Sequence, residues 1–369
     1  MSPDVIYGIL SFWVIIYLIA LPLRSKGVKV SLFYVEISTK PERVPGISFL
    51  TKLVGRLTEY SPVVLFALMF LSAYFLLDVT LKSMLKPSEA TPAVVPVIPG
   101  VTVSLDIPIL LAIFLTLFPH ELGHVISSLR NGVSVKKLSF FMLFIIPGAF
   151  VEPDESTMES LNWRKKANIF SSGVLMNVLV AILAILLAIA IFPGFPNNPS
   201  GVYVIEVQKG GPSYGILPNQ VVITAIDQYE VRNLEDLHKV LEKHSPGDVV
   251  TIRTNLGDFR VKLGKSPYKK GMPWIGIKLS PFPYYKPLVE LPPNLSLEIL
   301  RTVVLISLFN ISVGGLNSLP MYPLDGYHVT KELLIKKIGS EDATKGILWA
   351  SSMLFLLLIA YNALLFFIR

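Results

Sequence analysis

Uncharged apolar runs of about 20 residues, the length a helix needs to cross a bilayer, recur along this 369-residue sequence. They lie near residues 5–23, 62–81, 106–127, 168–193, 297–318 and 346–367. Helix is the expected form for each, because an open strand in lipid leaves its N–H and C=O groups unsatisfied. Charged residues make up only 16% of the chain, against roughly 25% in soluble domains. The fold class that follows is mainly α: a polytopic membrane helical bundle of about six spans.

The segments between the runs alternate in charge. Residues 24–60 carry Arg24, Lys26, Lys29, Lys40, Arg43, Lys52 and Arg56, whereas residues 82–105 hold only Lys82 and Lys86 as basic residues. Residues 128–167 are basic again, as is the stretch from Lys331 to Lys345. Basic loops stay on the cytoplasmic side. That rule places the metal-bearing side described below towards the cytoplasm and both termini, including Arg369, outside the cell membrane. The first run has Asp4 before it and Arg24 and Lys26 after it, the reverse of a cleavable signal peptide. It is expected to stay as a first span. The net charge of +7 is explained by these loops, and with no nucleic-acid motif present, no nucleic-acid partner is expected. The chain has no cysteine, which excludes disulfides, thiolate catalysis and Cys-ligated zinc.

One segment breaks the membrane pattern. Residues 198–285 are polar and contain β-like runs at Val202–Val207, Val221–Ile226, Val249–Arg253 and Phe259–Leu263. A helix-like stretch, Leu234–Lys243, lies between them with Asn233 as its N-cap. The order of strand, Gly-Gly-Pro turn, Gly-Ile-Leu step, second strand and Asn-Leu-Glu-Asp-Leu over residues 201–237 resembles a PDZ domain. That resemblance implies a small extramembrane α/β PDZ-like module that binds peptide or substrate termini by strand addition, with a terminal carboxylate docking near Ser200–Val202. His238 and His244 fall in this module as solvated surface residues. A second irregular feature, residues 138–153, is apolar but broken by Pro147 and Gly148 and too short to span. It is expected as a hairpin dipping into the membrane. The expected divisions are residues 1–60 (first span and inner loop), 61–197 (membrane core), 198–285 (the module) and 286–369 (membrane core and last span).

The chemistry concentrates in His120-Glu121-Leu122-Gly123-His124, at one end of the third apolar run. Two imidazoles at i and i+4 share a helix face and can grip one tetrahedral zinc ion. Glu121 between them can deprotonate a metal-bound water. Ionisable groups inside a span cost roughly 2.5–3.5 kcal/mol each on insertion scales, so three within five residues need a reason. A third ligand is required. His328, Glu152, Glu155 and Glu159 are possible on chemistry alone. Asp325 is better placed, just past the fifth run on the side where charge alternation also puts His120 and His124. Pro320 and Pro323 stiffen the segment before it, and Gly326 allows close backbone approach.

These residues together resemble the site-2 protease family of intramembrane zinc metalloproteases. The resemblance is carried by His-Glu-Leu-Gly-His on one span, Asn-x-x-Pro-x-x-Pro-Leu-Asp-Gly (residues 317–326) after a later one, the PDZ-like insert, and Pro-Gly-Ala-Phe-Val at Pro147–Val151. It implies that His120, His124 and Asp325 hold zinc and that Glu121 is the general base. It also implies that Asn317, Gly148 and Asn177 help bind substrate. Asn177 stands in a Gly-x-x-x-Asn element with Gly173, where many bacterial members have Pro and this chain has Val174; plain helix–helix hydrogen bonding explains Asn177 equally well. The implied activity is hydrolysis of peptide bonds within or next to membrane-spanning segments of substrate proteins, in regulated intramembrane proteolysis. The implied partners are such substrates and the lipid bilayer. Two rivals remain: a membrane-anchored zincin cleaving soluble or unfolded proteins, with Glu155 or Glu159 as third ligand, and a non-enzymatic PDZ membrane scaffold. A transporter would show paired, repeat-related broken spans, and no such repeat is visible.

Overall fold

In the computed structural model, which describes residues 3–86, 94–96, 102–103, 106–144, 146–269 and 271–368, the apolar runs fold into helices. The first unit of the chain comprises Met1–Ile182 with Leu305–Arg369, and the second comprises Leu183–Val304. In chain order the elements begin with α1 (Pro3–Ala20), β1 (Val28–Ser31), β2 (Tyr34–Thr39), α2 (Ile47–Val54) and α3 (Ser61–Leu85). Next come α4 (Ile107–Arg130), β3 (Val135–Leu143), β4 (Ile146–Pro153), α5 (Glu155–Ser160) and α6 (Trp163–Ile191). Among the described residues, five helical segments are long and apolar enough to cross a membrane: Ile47–Leu85, Ile107–Arg130, Trp163–Ile191, Pro293–Ser318 and Glu341–Ile368. The first expected run forms α1, and the apolar helical stretch Trp13–Leu23 continues past its end. Arg369, and Ile145 within the expected hairpin segment 138–153, lie outside the described residues.

Local chemistry sets the ends of α4, the helix that carries His120 and His124. Asp106 caps α4 by accepting from the Ile109 N–H at 3.1 Å, which satisfies one of the orphan donors of a helix start. The helix stops at Asn131, and Gly132 turns the chain with φ +80°. Between spans, burial of apolar surface is a weak force, because lipid is as apolar as leucine; small residues and hydrogen bonds hold such helices together. Ser61 of α3 meets Ser171 of α6 at 2.7 Å and donates to Asn168 O at 3.1 Å. Leu65, Met69, Ala167, Val174 and Val329 pack around this seam.

Residues 138–153 do form a hairpin, but it belongs to a larger element. Strands β3 and β4 join β1 and β2 in one antiparallel sheet of order β1-β2-β3-β4. The basic segment before α2 therefore contains two strands that charge counting alone reads as loop. Phe140 of β3 packs against Phe118 of α4, with ring centroids 5.6 Å apart. On the opposite face of β3, Glu36 of β2 is 3% exposed. Its carboxylate accepts from Tyr34, Ser38, Ser139 and Lys137 at 2.9–3.1 Å.

The second unit carries the β-rich module: β5 (Val202–Val207), β6 (Val222–Ile226), β7 (Tyr229–Glu230), α7 (Leu234–Leu241), β8 (Val249–Thr254), β9 (Gly257–Lys262), β10 (Gly264–Lys265), β11 (Pro273–Trp274) and β12 (Ile277–Leu279). Its main sheet runs β12-β5-β6-β8-β9, with β7 paired to β6. Asn233 caps α7 by accepting from Asp236 N–H at 2.9 Å. The module has its own core, including Val204, Ile223, Ile226, Val250, Ile252 and Val261. The chain then continues as α8 (Pro293–Ser318), α9 (Asp325–Ile338) and α10 (Glu341–Ile368).

Candidate metal centre

His120 and His124 project from α4, one turn apart, and Asp325 is the first residue of α9. Asp325 thus opens a helix instead of sitting in an irregular loop, where the positive end of the helix dipole favours a carboxylate. The irregular segment is the six residues before it. That segment is tied to α10, where Ser351 donates to Pro320 O at 2.6 Å and Ser352 accepts from Tyr322 N–H at 3.1 Å. Gly326 lies against the carbonyl of Ser318, leaving no room for a side chain. The carboxylate is therefore held from both sides of the turn.

The three side chains converge. His120 Nε2 is 3.2 Å from Asp325 Oδ2, His124 Nε2 is 3.5 Å from Asp325 Oδ1, and the two Nε2 atoms are 3.3 Å apart. Ligand atoms held tetrahedrally about zinc at roughly 2.0–2.1 Å stand about 3.3 Å from one another. The observed spacings match that edge length. Among the described residues this is the single cluster of three or more His, Asp or Glu side chains able to hold a metal.

The chemistry of the donors fits a metal as well as their spacing does. His124 Nδ1 lies 2.8 Å from the Ile169 carbonyl, which can only accept, so Nδ1 carries the proton and Nε2 a lone pair. His120 Nδ1 lies 2.6 Å from Asn177 Oδ1 and is protonated in the same way. Two lone pairs and a carboxylate then face one point, and Asp325 Oδ2 is buried with no hydrogen-bond donor. Such a convergence of acceptors is unfavourable unless a cation sits among them. Gly173 of α6 leaves the space: a Cβ there would stand 2.5 Å from His124 Nε2 and 2.7 Å from His120 Nε2.

The remaining sequence candidates fall in different places. Glu121 is half-buried, and its carboxylate holds no hydrogen bond or salt bridge among the described residues. Asn317, near the end of α8, is half-buried and its carboxamide is likewise unbonded among the described residues. Gly148 lies in β4 opposite Phe141, whose ring covers it. Asn177 is fully buried. Its Oδ1 faces His120, and its Nδ2 donates to Thr116 O at 3.1 Å and Asn310 Oδ1 at 2.8 Å. Both N–H groups of that carboxamide are spent inside the protein. Glu152, Glu155 and Glu159 are exposed and outside the cluster. His328 stacks on Phe170 with centroids 4.9 Å apart. In the module His244 is half-buried near Asp227, at 3.7 Å, rather than fully solvated. Sequence reasoning missed Asn310, Thr116 and the contact of Gly173 with both imidazoles. A polar residue inside an otherwise apolar span was the available signal for Asn310.

Comparison with known proteins places the chain in a family. The sequence profile of Peptidase family M50 matches residues 108–359. A membrane-bound transcription factor site-2 protease homolog of Arabidopsis thaliana is 26% identical over 144 residues, 37% of this chain and 28% of that protein. An uncharacterized protein of Methanocaldococcus jannaschii is 27% identical over 227 residues, 60% of this chain and 56% of its own length. The chain thus spans about a quarter and about half of these two relatives. The PDZ domains of SdrC-like proteins from Listeria monocytogenes and Listeria innocua are 28% and 30% identical to it. They cover 22% of this chain and 87% and 96% of their own, with TM-scores of 0.20 and 0.21. The family match takes in His120, Glu121, His124, Gly173, Asn177 and Asp325 together, and the chain belongs to peptidase family M50, a family of metalloproteases.

Proposed function

We propose that this chain is an intramembrane zinc metalloprotease that hydrolyses peptide bonds within or next to membrane-spanning segments of its substrates. The observation that carries the reading is the convergence of His120 Nε2, His124 Nε2 and Asp325 at 3.2–3.5 Å. His120, His124 and Asp325 would hold zinc, which would supply Lewis acidity and bring the pKa of a water there to about 7. Glu121, one residue after His120 and with no bond to another side chain among the described residues, would be the general base, holding the proton of the attacking water and delivering it to the leaving amine. His120 and His124 keep their protons on Nδ1 throughout, because Asn177 Oδ1 and Ile169 O hold them there.

A substrate helix must be unwound before water can reach its backbone. Strand β4 is an edge of its sheet and packs beside α4. Its outer edge offers an extended substrate segment a row of backbone groups, with Gly148 on that strand. Asn317 brings an unspent carboxamide to the same substrate backbone. In this reading the substrates are membrane proteins undergoing regulated intramembrane proteolysis, and the PDZ-like module receives peptide or substrate termini. The centre faces the cytoplasmic side of the cell membrane, and the termini and module face outward. The domain divisions follow residues 1–60, 61–197, 198–285 and 286–369.

The test is cleavage of a single-span protein by the purified chain in lipid vesicles. Glu121→Gln is expected to lower the rate by about 10²–10⁴-fold with zinc still bound, and a chelator to abolish cleavage reversibly. A chain with Ala149→Pro or Val151→Pro is expected to keep zinc and lose cleavage. Undiminished cleavage by Glu121→Gln would refute the reading.

A further inference from the structure

We propose that Asn310, on α8, is a positioning residue for the metal centre: through Asn177 it fixes which nitrogen of His120 is free to bind the metal. The inference rests on the metalloprotease reading above and adds a residue to it.

The chain of cause begins at Pro119, inside α4 and immediately before His120. Proline has no N–H, so the carbonyl four residues earlier, Leu115 O, loses its helical partner. An unsatisfied carbonyl inside a span is costly. Asn310 Nδ2 supplies the missing donor at 3.2 Å. The same Nδ2 lies 2.8 Å from Ile306 O and 3.1 Å from Thr116 Oγ1. Thr116 spends its hydroxyl proton on Ala112 O at 2.7 Å, so its oxygen can only accept here. Every neighbour of Asn310 Nδ2 is therefore an acceptor, and the carboxamide has one possible orientation.

That orientation propagates. Asn310 Oδ1 must face Asn177, where it accepts from Nδ2 at 2.8 Å. Asn177 Oδ1 is then turned to His120 Nδ1, which must donate. Nε2 is left as a lone pair pointing at His124 and Asp325. If the Asn177 carboxamide were flipped, its N–H would face Nδ1 and drive the proton to Nε2, blocking the position a metal needs. Asn177 and Asn310 are both 0% exposed, so no water competes for these bonds. His124 needs no such relay, because a backbone carbonyl orients it directly. Outer partners of this kind are worth about 10–100-fold in metal affinity.

The experiment measures zinc affinity, by chelator competition, and the visible d–d spectrum of the cobalt-loaded full chain in detergent. Asn310→Ala is expected to weaken zinc binding about tenfold and to shift the cobalt spectrum. Asn310→Asp keeps an acceptor for Asn177, and when protonated a donor for one of the carbonyls; it is expected to bind zinc within about threefold of the original chain, a smaller loss than the roughly tenfold one of Asn310→Ala. Because Asn310 acts through Asn177, adding Asn310→Ala to Asn177→Ala is expected to cost nothing more. Asn362→Ala removes another buried carboxamide, one bonded to Thr80 Oγ1 at 2.7 Å, and is expected to lower stability without touching zinc affinity. Wild-type affinity in Asn310→Ala, full additivity with Asn177→Ala, or an equal loss in Asn362→Ala would each overturn the proposal. If Asn310→Ala does not accumulate, Asn310→Ser carries the same expectation of weakened binding, and unchanged affinity in it overturns the proposal equally. Failure of the unaltered chain to bind zinc at all would instead strike the metalloprotease reading.

Discussion

At the scale of single residues, the centre depends on what is missing as much as on what is present. Gly173 has no side chain at the point where a methyl group would stand 2.5 Å from His124 Nε2. Such a contact cannot be relieved by rotamer change, because both imidazoles are already fixed through Nδ1. Gly173→Ala is expected to reduce bound zinc to well below one equivalent and cleavage by more than about 100-fold, while the helical content of the chain is unchanged. Zinc analysis of the purified variant beside its circular dichroism checks this; full zinc occupancy would contradict it. The converging histidine pair was legible, because two histidines at helical spacing inside an apolar run have few other uses. Asn310 was not. A lone Asn in a span reads as helix glue, and only the freed carbonyl at Leu115 and the direction of each hydrogen bond reveal its connection to His120.

At the scale of elements, the four-stranded sheet holds the hairpin beside α4, and Glu36 ties its two inner strands. Burial alone would raise the pKa of this carboxyl. The hydrogen bonds from Ser38, Ser139, Lys137 and Tyr34 outweigh burial and lower it to about 2 from an ordinary 4.5. The stabilisation is therefore complete above pH 4.5 and is lost as pH falls from there towards 2; it is on the order of 3 kcal/mol. Glu36→Gln is expected to lower the unfolding temperature clearly at pH 6, with the gap from the original chain narrowing as pH approaches 2.5. A gap that does not change with pH would show that the charge contributes nothing. The strands themselves were only half visible in the sequence. Pro147 and Gly148 marked the hairpin, but Val28–Ser31 and Tyr34–Thr39 are short and lie among lysines and arginines. Their alternation was masked by the basic residues around them. In the module, β5, β6, β8 and β9 were legible to within about three residues from alternating valine and isoleucine, whereas β10–β12 are two or three residues long and leave no period to read.

At the scale of the whole molecule, the chain forms two units, and the β-rich module lies within the second, Leu183–Val304. The chain enters and leaves the module side by side: Ser200 N–H donates to Tyr284 O at 2.7 Å and Tyr284 N–H to Gly201 O at 2.9 Å. A short loop can therefore replace residues 202–283 without stretching the helices that flank it. The shortened chain is expected to bind one zinc with unchanged affinity and to cleave a wider range of single-span proteins; loss of zinc on excision would show that the module is part of the centre. Everything proposed for activity, from Glu121 as base to Asn310 as positioning residue, requires that one ion be gripped by two imidazoles and the Asp325 carboxylate. Zinc X-ray absorption of the purified chain, compared with Asp325→Ala, tests this directly. The original chain is expected to show one zinc with two imidazole nitrogens and carboxylate oxygen at about 2.0–2.2 Å, and Asp325→Ala to lose the carboxylate signal and most of its zinc. An Asp325→Ala chain that binds zinc with the same affinity and the same spectrum would contradict it.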